Sequence, residues 1–221
     1  MAESRIIKRN VRFWGKSGLQ LTGMMLIFMV VYGFLFNMGS GSIFGDFWKT
    51  AYFYGGIISV LFALIGPVSY VGAYLPLTLS FGSGRREAVF GAQIFCVVYV
   101  VSAYIILVLA GFMSSGKFDG KLNVLIAVLF VFMTAVGQLV SVAQMHFGIQ
   151  GMIIGIVIVV LCMVGGFVTG IGFIDQIMAW INGMQINVVW ILFAIGAIVS
   201  IALYAVSVMA LFREMRHYEV K

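Results

Sequence analysis

Long apolar stretches separated by short polar ones set the pattern of this chain. Six of them, residues 19–36, 51–74, 90–113, 122–145, 151–173 and 188–212, run without a single Asp, Glu, Lys or Arg. A helix needs about 20 residues to cross the hydrocarbon of a bilayer, and a buried soluble helix rarely goes so far without a charge. The pattern predicts an all-α, polytopic membrane protein: one transmembrane domain over 1–221 with six transmembrane helices. Gly66-Pro67 in the second stretch removes a backbone hydrogen bond and predicts a bend. In the fifth, Gly151-xxx-Gly155 and Gly166-xxx-Gly170 let two backbones approach, within the chain or against a second subunit.

The segments between these stretches are patterned too. On a helical wheel Arg5, Lys8, Arg9, Arg12 and Lys16 share an arc of about 100°, and Ile6, Ile7, Val11, Phe13 and Trp14 lie opposite. This predicts an N-terminal amphipathic helix over 5–16 lying in the headgroup layer, a disordered basic tail being the plainer alternative. The first apolar stretch is longer than the about 7–15 residues of a signal peptide and no small-x-small site follows, so it reads as a retained span. Between the fifth and sixth stretches, Ile174, Ile177, Met178, Ile181 and Met184 follow helical spacing, with Trp180 suited to a membrane interface. Residues 173–187 are therefore expected to form a short outer helical element, re-entrant or interfacial.

Composition narrows the class. The chain is 63% hydrophobic and 9% charged, against about 25% charged in soluble domains. Its net charge of +6 sits at the ends of the apolar stretches, which fits anionic lipid and not nucleic acid. Of the 13 Lys and Arg, an even number of spans places Arg5, Lys8, Arg9, Arg12, Lys16, Arg85, Arg86, Arg213, Arg216 and Lys221 on one side. Only Lys49, Lys117 and Lys121 fall on the other, so both termini are expected in the cytoplasm. The absence of any Asn-x-Ser/Thr is consistent with a bacterial plasma membrane. Cys96 and Cys162 lie inside spans and point to neither a disulfide nor a metal site. Gly15-Lys16-Ser17 ends like a phosphate-binding loop, but Asn10 stands where the motif needs glycine, so nucleotide binding by this chain is rejected. Catalysis at membrane depth needs paired acids, a His cluster or a Ser/His pair. The spans hold none, so no enzyme is expected.

Polar residues inside spans are few, and each must face protein or water. Thr134, Gln138 and Ser141 share a face of the fourth span at i, i+4, i+7, with Gln144 close by. Interhelical hydrogen bonding and lining of a pathway both remain open for them. In the second span Ser59 and Tyr70 are polar, and Phe53 and Phe62 offer an apolar wall. No ring of fixed charge exists to select an ion, which favours a hydrophobic or amphipathic cargo.

The loop after the second stretch carries the most specific signal. Pro76 discourages continuation of the span, Ser80 or Ser83 can cap a short helix, and Gly82 and Gly84 allow sharp turns. Arg85 and Arg86 then present a cationic pair, with Glu87 in the first turn of the next helix. A plain positive-inside loop would account for the charges alone. The whole string Pro76-Leu77-Thr78-Leu79-Ser80-Phe81-Gly82-Ser83-Gly84-Arg85-Arg86-Glu87 resembles the "P-L-x-x-S-F-G-x-x-R-[RK]" loop in permease subunits of bacterial ABC transporters of the type-2 exporter class. The resemblance implies that residues 75–87 are a coupling helix seated in a cleft of an ATPase subunit, with Ser80, Phe81, Gly82, Arg85, Arg86 and Glu87 as contacts. It implies that ATP and magnesium are held by a separate ATP-binding subunit, with no cofactor on this chain. A second permease, identical or related, would complete a cavity lined by the second and fifth spans. An ion-coupled secondary transporter and a non-transporting regulatory membrane subunit are the competing expectations.

Overall fold

The structure, a computed structural model, describes residues 2–37, 47–70, 84–116, 120–151 and 186–217, with isolated positions at 79, 153–155, 157–158, 161, 179 and 183; side chains are described from Val11 in the first stretch. Five long helices carry these residues: α1 (Ala2–Asn37), α2 (Phe47–Ser69), α3 (Arg85–Ser115), α4 (Gly120–Phe147) and α5 (Ile186–His217). All five are long and apolar enough to cross a bilayer, which points to a multi-pass membrane protein. The helices overrun the charge-free stretches, because hydropathy marks where lipid must be faced and not where helical hydrogen bonding stops. At the end of α3, Gly116 adopts a left-handed φ of 65° and donates its N–H to the Phe112 carbonyl at 2.8 Å, an αL stop that favours glycine. The expected span 151–173 and the outer element 173–187 fall almost wholly outside the described residues.

Contacts fix the direction of each helix. α1 and α3 run parallel, with Trp14 against Gly91, Gly18 against Phe95 and Thr22 bonded to Ser102. α2 runs antiparallel to both, since Met29 packs on Gly55, Phe47 on Gly33, Tyr52 on Gly111 and Phe95 on Gly66. α4 and α5 run parallel to each other: Val128 neighbours Gly196, Gln138 bonds Ser207 and His146 meets Glu214. Arg85 reaches the Arg216 carbonyl, so the end of α5 lies beside the start of α3. The start of α3, the N-terminal half of α1 and the ends of α2, α4 and α5 thus share one end of the bundle, here called the base.

Among the described residues the interior has two apolar cores. The base core gathers Trp14, Tyr70, Val89, Phe95, Leu211 and Met215. The membrane core gathers Met25, Met29, Tyr99, Leu107 and Phe130 from three helices, and Phe47 and Ala51 add a fourth. From Lys16 to Asn37, α1 rises about 32 Å, the thickness of a hydrocarbon core. Since Trp14 sits at the level of Gly91, the part of the base core around Trp14, Val89 and Met215 falls at the end of that length, where headgroups and water begin, while Phe95 lies about 6 Å further in.

The expected separate interfacial helix over 5–16 is corrected by α1 itself, a single 36-residue helix. Gly18 does not break it. A Cβ there would come within 2.9 Å of the Phe95 carbonyl oxygen, so glycine allows a tight crossing with α3 that holds the helix on its axis. Trp14, expected to face the acyl boundary, is 1% exposed. Its indole lies 4.7 Å from the Tyr70 ring and fills space that only glycine at 91 leaves open, a Cβ there meeting Nε1 at 2.3 Å. Arg12 and Lys16 are exposed, as are Val11 and Phe13. Arg5, Lys8 and Arg9 belong to α1, their side chains lying outside the described residues.

Candidate functional site

The base is where the chain concentrates chemistry. α3 begins at Gly84, whose extended backbone (ψ 148°) turns the chain into the helix. Glu87 Oε2 accepts the Gly84 N–H at 3.2 Å, and the Ala88 N–H donates to the Gly84 carbonyl at 3.0 Å. Glycine has no side chain to return the bond, so this is one half of a capping box, with the carboxylate also favoured by the helix dipole. Glu87, expected to face a partner subunit, therefore caps its own helix. Arg85 is engaged as well: its Nη1 donates to the Arg216 carbonyl at 2.6 Å, satisfying an orphan acceptor at the negative end of α5. Arg86 is exposed and makes no ion pair among the described residues. Of the preceding loop, Leu79 is described and packs against the base core; Ser80, Phe81 and Gly82 lie outside the described residues. Across the base, His146 Nδ1 and Glu214 Oε1 stand 3.3 Å apart, joining the ends of α4 and α5.

A polar layer separates the two cores. Gln138 of α4 donates through Nε2 to Gln93 Oε1 of α3 at 3.0 Å, and its own Oε1 accepts from Ser207 of α5 at 2.8 Å. Tyr204 of α5 also donates to Gln93 Oε1, while Gln93 Nε2 is buried and bonds nothing among the described residues. Such bonds join three helices at a depth where an unpaired polar group is penalised. Beside this layer Tyr70, Gln138 and Ser141 line a cavity of about 10 Å³ with Pro67, Cys96 and Leu211, room for about one water molecule. The Tyr70 hydroxyl donates to the Ala88 carbonyl and the Ser141 hydroxyl to its own helix at Gly137.

The seven expected pathway residues are not brought together. Tyr70, Gln138 and Ser141 meet at that small cavity, whereas Thr134 bonds back to Phe130 and Ser59 back to Gly55. The Ser59 carbonyl also accepts from Tyr99 at 2.8 Å. Phe62 packs edge-on to Phe28, and Phe53 edge-on to Tyr54, both away from the polar layer. Gln138 thus serves interhelical bonding within this subunit. Ser200, Tyr204 and Ser207 were not among the expected residues, although they repeat the i, i+4, i+7 spacing of Thr134, Gln138 and Ser141. Two matched polar stripes on parallel helices were the available signal.

Comparison with family models, curated proteins and solved structures finds no match. The fold and the base geometry therefore carry the functional argument.

Proposed function

We propose that this chain is the membrane-spanning permease subunit of an ATP-driven exporter of the ABC type, paired with a second permease and moved by separate ATP-binding subunits. The observation that carries the reading is the anchoring of two described residues of the loop 75–87. Leu79 packs against the base core, and Arg85 grips the end of α5. A force applied to that loop from the cytoplasm would pass to α1 through Trp14 and Tyr70, to α3 directly, and to α5 through Arg85. Arg86, exposed next to Arg85, is the contact on offer to a motor subunit. Cargo would be hydrophobic or amphipathic and would travel between two permeases, since the polar layer at membrane depth is turned to its own bundle.

The six-span topology belongs to the same proposal. α4 and α5 both end at the base, so the chain between residues 148 and 185 has to return to the opposite end, which supports a sixth crossing within it. The described cations Arg12, Lys16, Arg85, Arg86, Arg213 and Arg216 lie at the base and Lys49 and Lys121 at the far end, supporting a cytoplasmic base; the membrane in this proposal is a bacterial plasma membrane. The test is affinity capture from native membranes followed by reconstitution. An ATP-binding subunit should co-purify, and Arg86→Gln with Phe81→Ala should abolish ATP-driven transport while the permease remains folded. Recovery of no ATPase, or transport unaffected by both substitutions, contradicts the reading.

A further inference from the structure

The exposed face of α3 ends in a charged rim at the base. α1 meets α3 through Gly91, Phe95 and Ser102, and α5 meets it through Arg85, Phe90 and Gln93. Between these two lines of contact Phe90, Val97, Val101, Ile105 and Leu109 form a stripe, each more than half exposed. From Phe90 to Val101 it rises about 16 Å, one leaflet of a hydrocarbon core about 30 Å thick. Its floor is an edge-to-face pair, Phe90 and Phe212, with ring centroids 5.8 Å apart.

Below that floor the charge is one-sided. Arg86 lies one turn before Phe90 on the same face of α3, and Arg213 follows Phe212 on α5; both are exposed. The two acids of the rim are already engaged, Glu87 capping Gly84 and Glu214 facing His146. Arg86 and Arg213 therefore have no carboxylate partner among the described residues.

We infer that this groove binds an anionic phospholipid of the base-side leaflet, with its phosphate at Arg86 and Arg213 and an acyl chain laid along Phe90, Val97 and Val101. Apolar stripe and cationic rim match the two halves of such a lipid in sequence, length and charge. A zwitterionic lipid would fill the stripe and offer a phosphate too, but its ammonium would bring a further positive charge to a rim that already carries two, so the net charge favours the anionic lipid. The lipid site shares Arg86 with the transport reading but does not require it, so Arg213 is the position that separates them.

The purified full chain, stripped of lipid and equilibrated with equal parts phosphatidylglycerol and phosphatidylcholine of the same acyl chains, tests this by native mass spectrometry. Phosphatidylglycerol adducts should predominate. Arg213→Gln and Arg86→Gln should each lower that preference about fivefold, the effect of about 1 kcal/mol per basic residue at the headgroup layer. Arg86→Lys should retain most of it, Lys49→Gln at the far end should retain all of it, and soluble glycerol phosphate should not compete. Equal retention of the two lipids, an equal loss in Lys49→Gln, displacement by glycerol phosphate, or a second copy of the chain covering the face in place of lipid would each overturn the assignment.

Discussion

Trp14 in the base and Met25, about three turns further along the same helix, are both buried completely, yet burial does different work at the two places. Met25, Leu107 and Phe130 leave contact with lipid tails as apolar as themselves, so the membrane core gains little from the hydrophobic effect and depends on close packing. Its glycines show this: a Cβ at Gly137 would fall 2.4 Å from the Leu64 carbonyl oxygen, and one at Gly55 within 2.8 Å of Met29. Trp14, Val89 and Met215 pack where headgroups and water compete, and there removal of apolar area from water is favourable outright. The bundle is thus a packing-held membrane part standing on a small, hydrophobically driven base, with the Gln93–Gln138–Ser207 layer between them.

Truncation separates the two cores most strongly. Trp14→Ala should destabilise by about 3–5 kcal/mol, read as a lowered midpoint in a denaturant titration of the reconstituted protein. Met25→Ala should cost about 2 kcal/mol, the low end for such truncations, because the transfer contribution is largely missing in lipid. Equal losses would place the base core inside the hydrocarbon and remove the distinction. Overpacking comes next. Gly137→Val forces α2 from α4 and should cost about 1–3 kcal/mol. Gly91→Ala should cost a similar amount in the parent but much less beside Trp14→Ala, a coupling that a double-mutant cycle measures. In the polar layer, Gln138→Leu should cost about 1–2 kcal/mol and Ser207→Ala about 0.6 kcal/mol, since interhelical bonds in membranes are individually modest. The smallest effect is at the rim. The His146–Glu214 contact is partly exposed to solvent, so Glu214→Gln should lower stability by less than about 0.5 kcal/mol in the same titration.

The membrane-crossing parts of the five helices were legible because helices that stay in water seldom run a full span length without a charge. The base was not, for reasons that particular residues make clear. Trp14 sits on an apolar arc that a wheel cannot assign to lipid or to protein, and Gly91, whose missing side chain decides the matter, lies far away in sequence. The amphipathic pattern stops at Lys16 and the charge-free stretch begins at Leu19, whereas the helix continues through Gly18, which permits a close crossing with α3. Arg85 carries the charge expected of an exposed loop, and only the arrival of α5 beside α3 reveals its acceptor. Gln138 was recognisable as a residue that must be satisfied. Its partners depended on the relative rotation of three helices, which the spacing of Ser200, Tyr204 and Ser207 hints at without determining.

The transport proposal requires the base to be the cytosolic end at which an external ATPase acts. A photo-crosslinking residue placed at position 86, and in a parallel strain at position 49, examines that directly in native membranes. An adduct with an ATP-binding subunit is predicted from position 86, strengthened by trapping ATP without hydrolysis, and none from position 49. An ATPase adduct from neither position, or from 49 in preference to 86, would contradict it.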